Sequence, residues 1–504
     1  MKERTKKDII IFIIIFLSSI IIYNQYITMH YATDTYNIMN IGYVQYAQNN
    51  SFIDGRIFMG ILDIFANCIN MPINVMVISF TIIALFISSI AVIILKNMML
   101  SLKNTDNKLL EIIAIMISYI TIFNFMYVEN LYFVEAIVMS ISILLYILAV
   151  REIIEKEKYY YLKSLILSIL ATFFYQGTIG LLVMYGFVFS ITKNKGNTKE
   201  IIKDMFIIIS IVFISFLINM IQINITSNII GTEQKRLEGI KNLIYCTKNV
   251  LSKFLIMVVD DIILNCCGLF PKSLMVLYIA AILIISMIYE VKYKEEKILI
   301  KIIEIMILSI LITTAMCIIS IGSYDTGRIH NNIGALIGII YIFIFCDSNM
   351  FDKNKTIQAI SLGILLTYIV MTIVNISSLL TQHKIVNSLE KEQCEKLEEY
   401  IQNYEKENNT KVEEAKYFKL NNMKDYGFFN SIPNKFSVLT YNGVACTWSS
   451  IGTINFYTNR NFKNERLGIL ENKVFFEEYL QLRKEGYDKN FVIIDNILYF
   501  MVYI

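Results

Sequence analysis

The sequence predicts an α-helical polytopic membrane protein carrying a small α/β domain at its C-terminal end, and three observations lead there. The hydrophobic fraction is 56%, above the ~45–50% of soluble domains, and the excess is gathered into runs of about 20 residues, the length that crosses a bilayer. Only 3 prolines occur in 504 residues, so little interrupts those runs. Every short loop rich in lysine falls on one side of these runs, while the isolated acids, His and Arg of the other loops fall mostly on the opposite side.

Taken in chain order, spans are expected near 8–27, 72–95, 109–125, 132–150, 163–176, 178–191, 205–223, 273–289, 300–320, 332–346 and 357–380, about eleven in all. The first follows Lys2, Arg4, Lys6 and Lys7, and positive charge beside a span marks the cytoplasmic face. Tyr23-Asn-Gln-Tyr26 after the apolar run lacks small residues at cleavage spacing, so the run reads as a retained span and not as a removable leader. Loops with Lys96/Lys103/Lys108, Arg151/Lys156/Lys158, Lys193 to Lys203, Lys292/Lys294/Lys297 and Lys353/Lys355 are then inside. Loops 28–71, 126–131 and 321–331 are outside, with Arg56 and Arg328 as their basic residues. Residues 250–269 are apolar, yet Asp260 and Asp261 sit at their middle, at ~2.5–3.5 kcal/mol per charge on insertion scales. They read as an interfacial or re-entrant part of a large outer loop, 224–272.

An odd span count puts 381–504 outside as well. Ile385, Leu389, Leu397 and Ile401 mark a charged amphipathic helix ending near Asn408. Strand-like stretches follow at Phe436 to Tyr441 and Phe491 to Ile504, with a helix-like Asn472 to Lys484 between them. The small net charge of +3 conceals the segregation of charge and gives no reason to expect a nucleic-acid partner; the bilayer is the expected one. Eight cysteines show no paired metal spacing; Cys266-Cys267 are adjacent, and Cys394 with Cys446 is a pairing open to the outer domain. No nucleotide-binding glycine loop is present.

The outer loops carry the chemistry. The first holds His30, Asp34 and Tyr36, then Asp54-Gly-Arg56, with Asp54 as expected N-cap of an amphipathic interfacial helix bearing Phe58, Ile61, Leu62, Ile64 and Phe65. Asp34 can equally be a solvated turn residue and Arg56 a lipid-phosphate anchor. Glu129 is expected in the loop before the fourth span and Glu135 several residues inside it, where an ionisable group is a functional candidate by default; a neutral, hydrogen-bonded Glu135 is the bland alternative. Tyr175-Gln176-Gly177 breaks two spans at the outer face; a tight hairpin explains the Gly but not the Gln. The late loop Gly322 to Asn332 contains Asp325, Arg328 and His330. Arg328 is either an interfacial anchor or, through its planar fork, a grip for a phosphate. His30 and His330 with Asp34 are weak candidates for a metal set.

The acid just after the first span, the Gly-Arg before an amphipathic helix, the Tyr-Gln pair and the late Arg together resemble the serotype-converting glucosyltransferases, polytopic enzymes of the broad GT-C class. The pattern covers roughly residues 10–380, with a similar outer tail. The resemblance implies a polyprenyl-phosphate sugar donor carrying glucose or another hexose, and a surface glycan or teichoic-acid-like polymer as acceptor. By that analogy Asp34 matches the first-loop catalytic acid, Arg56 the Gly-Arg position, and Tyr175 and Gln176 the aromatic-Gln position. Family members often pair two acids where this chain has Thr33-Asp34, so no metal or other cofactor is called for.

Such a transfer needs a base for the acceptor hydroxyl and a fixed cation for the leaving lipid phosphate. Asp34 is the expected base, with Glu129 and Glu135 as further acids; Arg328, then Arg56, are the expected phosphate ligands, with Tyr175, Gln176, Asp325 and His330 around the substrate. A polysaccharide polymerase or ligase shares all of these features. A flippase or transporter would favour broken helices and polar groups at the midplane, and a noncatalytic surface-binding protein would leave Glu135 without a role.

Overall fold

The computed structural model describes residues 2–105, 107–231, 257–293, 297–319, 326–347, 350–353, 355–419, 438–462, 464–466, 479, 481 and 491–502. It is a helical polytopic body, with seven helices among the described residues long and apolar enough to cross a membrane: Ile73–Lys103, Ala136–Glu155, the stretch Tyr160–Lys193, Thr198–Ile230, Lys272–Tyr293, Ile298–Cys317 and Lys355–Asn408. Local signals set their ends. Pro72 precedes the first of these, and Asn104, in the left-handed region at φ 51, stops it. Asn197 caps Thr198–Ile230 by accepting the Glu200 N–H, and Gly231 at φ 76 closes it.

The difference from eleven expected spans has identifiable causes. Lys2–Ile22 begins with a charged turn, and 109–125 forms a helix of only 15 residues, Lys108–Ile122. The span expected at 332–346 is a 12-residue helix, Leu336–Asp347, buried on every side through Cys346, as a core helix is. The stretch Tyr160–Lys193 is not one rod. Lys163 pairs with Glu152 and Lys193 donates to the Ile154 carbonyl, so both its ends lie by the end of Ala136–Glu155, and the chain turns back at Gln176–Thr178.

Lysines gather at one end of the bundle. Lys96 pairs with Asp8 at 2.5 Å and Lys7 with Glu111; Lys156 meets Glu200 and Asp204, both at 2.9 Å; Lys195 and Lys301 share Asp347. Neighbouring acids neutralise these lysines on the protein side. Helices leave that end and run to the opposite one, where the loop 28–71, the Gln176 turn and the Arg328 turn meet. Outward faces such as Phe206, Ile209, Phe213, Ile221 and Ile225 of Thr198–Ile230 are exposed apolar surface, while Ser215, Asn219 and Gln222 of the same helix point inward.

Beyond the bundle, the boundary expected at 380/381 falls inside a single 54-residue helix, Lys355–Asn408. Its far end packs on a second hydrophobic cluster that includes Leu397, Ile401, Ala415, Ile451 and Phe500. A four-stranded sheet stands there: Glu414–Lys419 pairs in parallel with Asn464–Arg466 and with Ile497–Val502, and Phe491–Ile494 pairs antiparallel to the last. The stretch expected as one strand is therefore a hairpin, turned by Asp495 and Asn496, both at positive φ as a two-residue turn requires. Of the strand expected at Phe436 to Tyr441, Val438–Thr440 is a helical turn and 436–437 lie outside the described residues, as does nearly all of Asn472 to Lys484. Cys394 and Cys446 are not joined; both are buried free thiols, facing the Thr453 and Asn442 carbonyls. The expected re-entrant piece is helical at Met257–Leu264, with 250–256 outside the described residues.

Candidate functional site

Asp34 lies in the first turn of helix Thr33–Ile41. That helix is fixed at its start by the Tyr132 hydroxyl, which accepts the Thr33 N–H at 3.2 Å, and by Thr35 Oγ1, which accepts the Ala32 N–H. The opposite face is braced by the tail: Tyr36 donates to Glu390 at 2.7 Å, Glu390 accepts the Gly443 N–H, and Gly452 has room only for hydrogen where helix Ser450–Thr458 crosses the Tyr36 carbonyl. Asp34 thus projects from a rigid element. Tyr46 donates to its Oδ2 at 3.3 Å. Burial, then the nearby Glu135 carboxylate, push the Asp34 carboxyl up to about 6, against the pull of Arg328 and Arg56.

Arg56 and Glu135, 79 positions apart, form a buried pair: Arg56 Nη1 lies 2.7 and 2.6 Å from the two carboxylate oxygens. The Arg56 guanidinium also sits 5.2 Å from the Tyr175 ring centre, and Asp54 is 3.4 Å away. Two expectations change here. Glu135 is not inside the span but is its N-cap residue, because Phe133 N-terminal to it is extended and the helix begins only at Ala136. Asp54 does not cap helix Ile57–Cys68; Arg56 occupies the cap position and no side chain fills the role, since the Asp54 carboxylate turns to the guanidinium.

Arg328 is held differently. Its guanidinium carbon stands 3.7 Å over the Phe133 ring, its backbone N–H donates to Glu129 Oε2 at 3.0 Å, and its buried Nη1 has no hydrogen-bond partner. Among the described residues no carboxylate lies within ion-pair reach of it, yet Asp34, Glu135, Tyr175 and Arg56 are all close enough to act on its charge. Glu129, expected in a loop, is fully buried on the short helix Tyr127–Tyr132, and it positions the Arg328 backbone. Gly327 permits this approach, because a Cβ there would stand 3.4 Å from the Glu129 carboxylate and overlap Leu269.

Gln176 donates from Nε2 to the Asp54 carbonyl at 2.5 Å and leaves a buried Oε1 without partner. Gly177 folds tightly against Tyr175: a Cβ there would be 2.6 Å from the ring. His330 is buried with Nε2 3.8 Å from the Cys317 thiol. His30 faces the Leu131 and Thr28 carbonyls and stacks on Tyr26, so the two histidines and Asp34 do not form one ligand set. Among the described residues no group of three or more His, Cys, Asp or Glu is arranged to hold a metal ion. Asp325 lies outside the described residues.

Several residues of this centre escaped the sequence reading. Asp63, on helix Ile57–Cys68, is 0% exposed; it accepts the Ser51 hydroxyl at 2.9 Å, and burial pushes its carboxyl up to about 8. An acid in the middle of Phe58 to Phe65 was the available signal. Tyr46, Phe133, Asn130 and Asn219 had none beyond their residue type. Buried side-chain atoms without partners recur here, at Arg56 Nε, Asp63 Oδ1, both polar atoms of Asn130, Gln176 Oε1 and Arg328 Nη1. The chain matches no protein-family profile, no curated protein and no solved structure.

Proposed function

We propose that the protein is a membrane glycosyltransferase that moves a hexose from a polyprenyl-phosphate carrier to a hydroxyl of a surface glycan or teichoic-acid-like acceptor, at the outer face of the cell membrane. The observation that carries this reading is a half-buried carboxyl, Asp34, close enough to feel the charge of an arginine, Arg328, whose guanidinium has no anionic partner among the described residues. Arg56 is already neutralised by Glu135, so an arriving phosphate meets Arg328 as the available cation.

The chemistry follows from those groups. The acceptor oxygen attacks the anomeric carbon, its proton passes to Asp34, and the bond from that carbon to the phosphate oxygen breaks with its electron pair going to the lipid phosphate. Charge on the phosphate grows during that step, so Arg328 binds the transition state more strongly than the ground state. Arg56 adds a second positive field that favours the ionised Asp34, against the opposing Glu135 carboxylate. Two arginines beside the Tyr175 and Phe133 rings at the end of a helical bundle suit a donor whose lipid remains in the bilayer.

Two measurements test the reading. Purified protein given a synthetic polyprenyl-phosphate glucose is expected to release polyprenyl phosphate, and release from none of a panel of hexose carriers would end the proposal. The lysine end is assigned to the cytoplasm, with the Asp34 loop and the C-terminal segment outside. An impermeant thiol reagent on intact cells should therefore label Ser388→Cys, which is exposed, and spare Lys195→Cys, also exposed but at the lysine end. The reverse pattern would put the pocket on the wrong face for a surface acceptor.

A further inference from the structure

We propose that Asn219, Gln222 and Thr226, three residues of the membrane helix Thr198–Ile230, are positioning residues that hold the Arg56 loop in its working conformation. The proposal rests on the glycosyltransferase reading for its kinetic consequence and on geometry alone for its structural one.

Three of the four residues before Arg56 have their carbonyls held by side chains, beside the backbone turn bonds made by the Phe52, Asp54 and Gly55 N–H groups. Asn219 Nδ2 donates to the Gly55 carbonyl at 2.9 Å, Gln222 Nε2 to the Phe52 carbonyl at 3.1 Å, and Thr226 Oγ1 to that same oxygen at 3.2 Å. Gln176 takes the Asp54 carbonyl from the other side. Asn219 also donates to Gln222 Oε1 at 3.3 Å, which ties the two amides into one unit. Gly55 stands at φ +82, and a Cβ there would fall 2.7 Å from the Asn219 amide, so the loop is pressed directly onto this helix. The spacing of 219, 222 and 226 keeps the three on one face of the helix.

Polar side chains on a bilayer-spanning helix are costly unless paired, and these spend their donors on the loop that delivers Arg56. The rest of the loop is tied to the body as well: the Arg56 N–H donates to the Ser51 carbonyl at 2.8 Å, and Ser51 in turn donates to Asp63. What the membrane helix adds is the direction of the guanidinium. With the 52 and 55 carbonyls held by side chains of this helix, Arg56 points to Glu135 and the Tyr175 ring. A displacement on the order of 1 Å at such a group costs about a hundredfold in rate where geometry sets turnover.

The test uses full-length protein in detergent and three substitutions on one helix: Asn219→Leu, Gln222→Leu, and as a control Ser215→Ala, which loses only its contact with Ser168 at 3.0 Å. Phenylglyoxal, an arginine reagent read by mass spectrometry, reports side-chain exposure without any substrate. Arg56 should be modified several times faster in the two Leu variants, with Arg328 and Arg460 unchanged as internal references and the Ser215 variant like wild type. Equal Arg56 rates in all proteins would overturn the proposal, and so would a rise at every arginine together, which signals general loosening.

Turnover of polyprenyl-phosphate glucose supplies the second arm. Each Leu variant should lose about tenfold or more in kcat with donor KM within about twofold. The loss should vanish on an Arg56→Ala background, where there is no guanidinium left to place. Equal losses with and without Arg56 would overturn the positioning role. Wild-type turnover in Arg56→Ala alone would instead remove Arg56 from the reaction, a failure of the functional reading that this single variant separates from a failure of the clamp.

Discussion

Asp34→Asn is expected to reduce sugar transfer by about 10²–10⁴-fold while donor binding stays close to wild type. The amide keeps the shape and can still meet the Tyr46 hydroxyl 3.3 Å away, but it cannot take the acceptor's proton. The loss should therefore fall on kcat. Acidity supplies a second signature. Burial and Glu135 hold the Asp34 carboxyl at about 6, above the ordinary carboxylate range, and a base works only when ionised. Wild-type kcat/KM, which follows the free protein's ionisation, should therefore rise with pH up to about 6 and level off above it, because the ionised fraction falls as pH drops through that value. In the Asn variant this rising limb should be absent. Activity within about tenfold of wild type would move the role to Glu129, Glu135 or Asp63, the other buried acids of the centre.

Much of that centre can be read from the chain because charge is conspicuous in an apolar sequence. Asp34, Arg56, Glu135, Gln176 and Arg328 all stand out against their neighbours, and the structure brings them to one end of the bundle. Their relations cannot be read. That Glu135 neutralises Arg56 across 79 positions depends on how two loops meet, which no local pattern records. The same holds for Glu129, whose carboxylate is spent on the Arg328 backbone, and for Phe133, whose value lies in the face it turns to that guanidinium. Asp63 was hidden by its own helix: apolar spacing draws attention to Phe58 and Phe65 and away from the acid between them.

Span counting shows a different limit. Hydropathy identifies apolar segments but not whether each stands against lipid. Leu336–Asp347 is as apolar as any span and is enclosed by protein on all sides. Likewise Lys355–Asn408 crosses from an apolar to a charged composition without a break, because helix propensity continues where hydropathy stops. The bend at Gln176 was legible through Gly177, whereas the amides of Asn219 and Gln222 lay at the edge of an expected span and looked like its end.

Arg328 carries the other large expected effect. Its guanidinium carbon stands 3.7 Å over the Phe133 ring with Nη1 unpartnered, while its backbone is fixed by Glu129, so the group is pre-placed and has no carboxylate in ion-pair reach among the described residues. Lys would keep the charge but lose the planar fork and much of the stacking on the ring. Arg328→Lys should thus turn over more slowly than wild type, and Arg328→Ala more slowly again, by about 10²–10³-fold, the usual loss for one transition-state charge contact. Both losses should appear in kcat more than in donor affinity, since the phosphate gains charge as the sugar departs. An arginine that merely anchored the loop at the membrane surface would tolerate Lys completely. Donor turnover by the two variants in detergent separates these roles: wild-type rates for Lys with only a mild loss for Ala would take Arg328 out of the reaction and leave Arg56, released from Glu135, as the remaining cation for the phosphate.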